Sequence, residues 1–203
     1  MVQRTIPSPD PSSPDRSKVT RRAILEAAKE LFVTKGYSAT SVADIVDRAG
    51  TSVGLPYYHF GSKKKIFTAI WDEYQLAQEA RTHSAVAQAR RRGDNGPAAL
   101  LAGVRAYLEG AWVDRDIQPM IHASDKPAGF KAVVSLANER YLRQNEKLLA
   151  ELGPERARIA SVLAAAAMGG MCVEFGSCES DDVAQRAIDT SLEFLGAMFT
   201  SRR

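Results

Sequence analysis

The chain has 203 residues, 45% hydrophobic and 25% charged, the composition of a globular protein of one domain or two small ones. No uninterrupted run of 18 apolar residues occurs, so no membrane span is expected, and the opening MVQRTIPSPDPSSPDR lacks the apolar core of a secretory signal. The net charge of +3 is uneven: Met1 to Ile66 holds 11 Lys/Arg against 6 Asp/Glu and the remainder 16 against 18, so a polyanion is expected at the first end unless the imbalance is chance.

Residues 1–16 carry Pro7, Pro9, Pro11 and Pro14 among serines and aspartates. Such a stretch cannot bury a core and is expected to be a disordered, basic, Pro-rich arm. With Arg4, Arg16 and Lys18 it is either a reach into a DNA minor groove or a solvated tail. Ile24, Ala28, Leu31 and Phe32 then make an apolar helical stripe, stopped by Gly36. In SVADIVDRAG, Ser41 caps a second helix with Asp44 at the third helical position, the capping-box spacing. Val42, Ile45, Val46 and Ala49 form its inner face and Gly50 ends it. Thr51 or Ser52 caps a short third helix to about His59. Ser62 caps a fourth that turns Ile66, Phe67, Ile70, Trp71 and Tyr74 inward. Further helices are predicted over about 97–113, 129–152, 155–176 and 181–200, with the 114–127 stretch as a connection. No alternating strand pattern occurs. The reading is all-α: an N-terminal three-helix helix-turn-helix domain over 17–65, then a helical bundle over 66–203.

The run TSVADIVDRAGTSVGLPYYHFGSKKKIF resembles the DNA-binding signature of TetR-type (tetracycline-repressor-like) transcription regulators. The matching positions are Ser41-Val42, Ile45, Ala49-Gly50, Ser52-x-Gly54, Tyr57-x-His59-Phe60, Ser62-Lys63 and Ile66-Phe67. The preceding RRAILEAAKELFVTKGYSAT is similar to that family's first helix. The resemblance covers roughly residues 19–70. It implies a ligand-responsive DNA-binding regulator, a repressor released from a palindromic operator by a small-molecule effector, and not an enzyme. It implies a double-stranded DNA operator and a homodimer as partners; the two cysteines and the lack of a signal or long apolar run make a cytoplasmic protein with no membrane partner the expectation. One departure stands out: the family usually has leucine before the first tyrosine, where this chain has Pro56. Capped at Ser52, Pro56 is the fourth helical residue, lacks the N–H of the first intrahelical bond, and should tighten or bend the helix entry.

At 100° per residue Pro56, Tyr57 and Phe60 share a face expected to pack on Ile45 and Leu31, while Gly54, Leu55 and Tyr58 point away and His59 flanks them. An outward Gly54 admits close approach of another molecule, and an outward Leu55 suits a thymine methyl. Val53 is ambiguous: the wheel places it near the inner face, the resemblance at the groove floor. Tyr58 and His59 have donors for phosphate oxygens, though His59 equally suits a structural hydrogen bond. The resemblance gives Tyr57 a phosphate role. Ser41, Thr51 and Ser52 stand at helix starts, where hydroxyls and free N–H groups bind phosphate. Lys63 stands at a helix start, where a cation is disfavoured unless a bound phosphate offsets it; Lys64 and Lys65 add general field.

For 66–203 the resemblance implies effector binding and dimerisation. Ile159, Val162, Leu163, Ala166 and Ala167, then Ile188, Leu192, Leu195 and Phe199, make two amphipathic C-terminal helices. These are expected to pair with a second copy as a four-helix contact, unless they form one intramolecular hairpin. Aromatic and sulfur-bearing pocket candidates are Tyr107, Trp112, Met120, Phe130, Met168 and Met171, with His122 and Glu174 as polar ones; each equally suits plain core. Cys172 and Cys178 are expected to be small buried thiols rather than a redox pair. No Cys/His spacing suits zinc, and no cofactor is expected. The rival reading is a small α-helical enzyme or ligand carrier. It lacks G-x-S-x-G, H-E-x-x-H and Walker motifs, and the three histidines His59, His83 and His122 are far apart in sequence.

Overall fold

A computed structural model describes residues 14–200, and all regular structure among them is helical. The elements are α1 (Pro14–Thr34), α2 (Val42–Ala49), α3 (Gly54–Phe60), α4 (Lys63–Arg91), α5 (Gly96–Val113), α6 (Gln118–His122), α7 (Phe130–Leu148), α8 (Pro154–Glu174) and α9 (Asp181–Thr200). They divide into two compact units, Met1–Ile70 and Trp71–Arg203. The expected arm over 1–16 lies mostly outside the described residues. Pro14, Asp15 and Arg16 instead make the first turn of α1, where proline loses no hydrogen bond and an acid suits the helix dipole.

In the first unit α1 packs against α2 and α3. Its core holds Ile24, Ala28, Leu31 and Phe32 of α1 with Ile45 and Val46 of α2, all buried. From α4, Ile66 and Phe67 are fully buried; the Phe67 ring meets Phe32 and Tyr37, each with centroids 5.4 Å apart. α2 begins in a reciprocal capping box: the Asp44 N–H donates to Ser41 Oγ (3.0 Å) and the Ser41 N–H to Asp44 Oδ2 (2.7 Å). Gly50 ends α2 in the left-handed region (φ 62°), which a side chain would strain.

Two hydrogen bonds from Ser41, first from its backbone and then from its hydroxyl, and a third from Lys35 hold the Asp44 carboxyl down to about 2 from 3.8. A depressed carboxyl stabilises the fold above its unfolded value and loses that contribution as pH falls from about 4 to about 2. Asp44→Asn is therefore expected to be less stable than the parent in chemical denaturation at pH 5, with the gap closing by pH 2.5. An equal gap at both values contradicts the role.

α3 starts later than the sequence predicts. Val53 is its N-cap, with no side-chain cap, so Pro56 is the third helical residue rather than the fourth. The N–H groups at the first three positions have no intrahelical acceptor, so Pro56 removes no bond from the helix. α3 buries Pro56 and Phe60 one turn apart, and the Arg21 guanidinium lies 5.2 Å above the Phe60 ring.

The second unit is built on α5 packed against α9 and α8, with α7 along α8. Leu100, Val104 and Leu108 meet Ala157, Ala164 and Met168 of α8 and Ile188, Leu192 and Leu195 of α9. The stretch over 114–127, expected to be a plain connection, contains α6. The helix predicted over 129–152 is shorter, ending at Leu148 before a 3-10 turn over Ala150–Leu152. Pro154–Ser177 is long and apolar enough by composition to cross a membrane (mean hydropathy 1.6), yet α8 buries Ala157, Ala160, Ser161, Ala164, Met168 and Cys172 inside this unit.

Candidate functional site

The surface of α2 and α3 holds the first candidate site. Gly50 to Val53 turn the chain between the two helices, anchored by the Thr51 N–H on the Val46 carbonyl (3.2 Å) and the Leu55 N–H on the Ser52 carbonyl (3.1 Å). The exposed face of α3 comprises Val53 (64% exposed), Gly54, Tyr57 (53%) and Tyr58 (80%). Tyr57, expected inside beside Pro56 and Phe60, stands 100° from Pro56 in this two-turn helix and projects outward. A Cβ added at Gly54 meets nothing within 4 Å and its φ is helical, so the glycine answers no need inside the protein. Leu55 and His59 are half-buried, and the His59 ring packs edge-on against Tyr58 at 5.1 Å.

Of three expected phosphate contacts, Ser41 and Lys63 have internal partners and the Thr51 hydroxyl oxygen is buried. The Ser41 hydroxyl accepts from the Asp44 N–H and donates to Asp44 Oδ2 (2.7 Å), so a carboxylate already occupies the anion position at the start of α2. The Thr51 hydroxyl oxygen is buried without a partner among the described residues, so it does not face solvent. Lys63 donates from Nζ to the carbonyls of Tyr37 and Thr40, both at 2.7 Å, and sits 4.3 Å from the Tyr37 ring centroid. Those carbonyls supply the negative charge that offsets a lysine at the start of α4. The Thr40 hydroxyl donates in turn to the Gly36 carbonyl (2.7 Å), tying the loop to the end of α1. Arg48 is likewise taken, in a forked pair with Glu30 (2.6–2.9 Å). Ser52, Lys64 and Lys65 remain exposed.

The second candidate site is a cavity of about 420 Å³ inside Trp71–Arg203. It joins three of the eight predicted pocket residues: Tyr107, His122 and Met168. The others do not line it. Met120 and Phe130 are core, Phe130 packing edge-on to Trp71 at 5.3 Å. Trp112 packs edge-on against Phe175 and donates Nε1–H to Asp181 (2.9 Å). Met171 packs on the core and Glu174 is exposed. The sequence reading missed Tyr74, Gln78 and Gln118, buried polar groups among the cavity's lining. Two buried glutamines on one side of helices carried a signal, but Gln118 lies on α6, which periodicity did not reveal.

Burial lowers the basicity of the His122 imidazole, with Lys126 adding to it, and burial raises the Tyr74, Tyr107 and Tyr141 phenols. The Cys172 thiol is 2% exposed and burial pushes it up to about 11. A thiol so raised stays protonated at neutral pH, whereas Cys178, also expected to be buried, is half-buried. Among the described residues no cluster of His, Cys, Asp or Glu is arranged to hold a metal ion.

A capped two-helix unit with a tight glycine turn, whose second helix presents a small residue and two tyrosines to solvent, is a helix-turn-helix, a motif that places its second helix in a DNA major groove in many proteins. Residues 24–70 match the family model described as bacterial regulatory proteins, tetR family. It is 34% identical over 98 residues to the HTH-type transcriptional activator FasR of Mycolicibacterium smegmatis, covering 48% of this chain and 42% of that protein. It is 32% identical over 80 residues to the HTH-type transcriptional regulator TtgR of Pseudomonas putida, covering 39% and 36%. The chain thus spans less than half the length of these curated relatives. The fold extends further: a TerR/AcrR-family regulator from Aquifex aeolicus superposes with a TM-score of 0.71 at 24% identity, over 89% of this chain and 99% of that one. NalD of Pseudomonas aeruginosa does so at 0.65 and 20%, over 88% and 96%.

Proposed function

We propose that the chain is a ligand-responsive transcriptional regulator: a repressor that binds a near-palindromic operator as a homodimer and is released when a small molecule fills the cavity. The observation that carries the DNA reading is the exposed face of α3. Gly54 is open to close approach, Val53 stands at the leading end of the helix, and Tyr57 and Tyr58 hold hydroxyls outward on a frame fixed by Pro56 and Phe60. Ser52, Leu55 and His59 flank it, and Lys64 and Lys65 supply positive field. Ser41, Thr51 and Lys63 serve here as scaffold. The repressor sign follows NalD, the secondary repressor of a multidrug efflux pump, whereas FasR is an activator. DNA binding is assigned to the residues up to Ile70, effector binding and dimerisation to the remainder, and the setting is cytoplasmic.

The dimer surface is the outer face of α8. Ile159, Val162, Leu163, Ala166, Gly170 and Val173 recur at helical spacing and are exposed, with Phe194 of α9 75% exposed. Ile188, Leu192 and Leu195, expected at this contact, turn instead onto α5 within their own subunit. A second copy of the same face buries the stripe. Effector contacts on the α4 residues of the cavity bias one arrangement of the dimer over another, so DNA and effector oppose each other.

The test is anisotropy titration of a fragment from the upstream region of the chain's own gene at several salt concentrations. Affinity is expected to fall steeply with salt, since phosphate contacts release counterions; binding indifferent to salt contradicts the reading. Tyr58→Ala is expected to weaken binding about tenfold on every sequence and to leave thermal stability unchanged, because the side chain touches solvent on nearly all sides. A stability loss without an affinity loss reverses that assignment.

A further inference from the structure

The cavity of the second unit combines apolar walls with a lining charge of one sign. Trp71, Tyr74, Ile121 and Met168 are buried and line it. Among the described lining residues Lys126, Arg140, His83 and His122 can carry positive charge, and Glu79 is the one acid. That acid lies 3.7 Å from the Arg140 guanidinium, which answers its charge. Lys126 is half-buried and makes no ion pair among the described residues; its ammonium lies 5.8 Å from the Phe130 ring centroid. Loss of water lowers the basicity of both Lys126 and His122, and the Lys126 charge lowers His122 further. No acid pulls either of them back up, as a nearby carboxylate would. An adjoining hollow of about 500 Å³ shares Thr82, His83, Tyr141 and Gln144 with the cavity. Its further charged groups are Arg90 and Lys147, again with no acid among its lining residues.

A cleft lined by one sign of charge, with low-dielectric walls, concentrates ions of the opposite sign. We propose that the effector is an amphipathic anion, an apolar carboxylate whose charged end sits by Lys126 and His122 and whose apolar body lies against Trp71, Ile121 and Met168. This rests on the cavity being the effector site. A cation could use the aromatic faces of Trp71 and Tyr74, but it would meet Lys126 with no free carboxylate to answer its charge. A neutral molecule would cover Lys126 without supplying a counter-charge. The volume of about 420 Å³ suits an acid of naphthalene size.

The test is calorimetric titration of the full chain at pH 7 with 2-naphthoate, 2-naphthamide and 2-naphthylmethylammonium, which share one ring system and differ in charge. Naphthoate is expected to bind about tenfold more tightly than the amide, with the ammonium weakest. In Lys126→Gln the naphthoate is expected to come within about threefold of the amide, whose own affinity stays put. Selectivity that survives this substitution would mean that the charged end does not sit by Lys126. If the parent protein binds naphthoate and amide equally, or the ammonium best, the anion inference fails while the cavity remains a binding site. If naphthoate binds selectively yet leaves affinity for the upstream fragment unchanged, the anion site stands and the effector reading fails. If none of the three binds at about 1 mM, both fall together. The parent comparison decides the charge preference even if the variant does not fold.

Discussion

Phe67→Ala is expected to destabilise the first unit by about 3–5 kcal/mol, enough to remove most of the margin of a small domain. Phe67 is fully buried and its ring bridges Phe32 of α1 and Tyr37 of the following loop. Truncation loses the transfer energy of the ring and leaves a cavity that three separate elements would have to close around. Chemical denaturation followed by far-ultraviolet circular dichroism measures the effect. DNA affinity is expected to fall with the folded fraction, and Phe67→Leu to recover most of both. A loss under about 1 kcal/mol would mean that the α1–α4 core relaxes freely, contrary to its packing.

Lys63→Ala is the second large effect, expected at about 2–3 kcal/mol of stability. Its ammonium makes two charge-assisted hydrogen bonds to backbone carbonyls and lies over an aromatic ring, so truncation leaves the Tyr37 and Thr40 carbonyls without their donor. The half-buried setting places it above an ordinary surface lysine and below a core pair. Affinity measured on the folded fraction is expected to keep its salt slope. If the slope instead becomes shallower by about one unit and stability is unchanged, Lys63 is a phosphate ligand and the carbonyl contacts are incidental.

The helix-turn-helix was legible because local rules decide it. Ser41, Asp44 and Gly50 mark the ends of α2 by capping chemistry, and the apolar spacing in α1 and early α4 matches what is buried. Errors arose where the tertiary setting chose the partner. A lysine at a helix start suggested an external anion, yet two loop carbonyls from 23 and 26 residues earlier supply the charge. Tyr57 followed the wheel inward, but a seven-residue helix buries only its Pro56–Phe60 line. The C-terminal stripe Ile188, Leu192 and Leu195 looked like an interface and is core, because amphipathicity does not say which neighbour a face meets. The cavity was least legible. Its polar groups converge from α4, α5 and α6, and α6 spans barely more than one turn, too short for a periodic signal.

The account is tested most directly by hydroxyl-radical footprinting of the full chain on its operator. A dimer carrying two α3 helices is expected to protect two patches about one helical turn apart, about 34 Å, related by the symmetry of the site. Both patches are expected to vanish together when the effector is added. A single patch, or two patches that persist with effector bound, would contradict it.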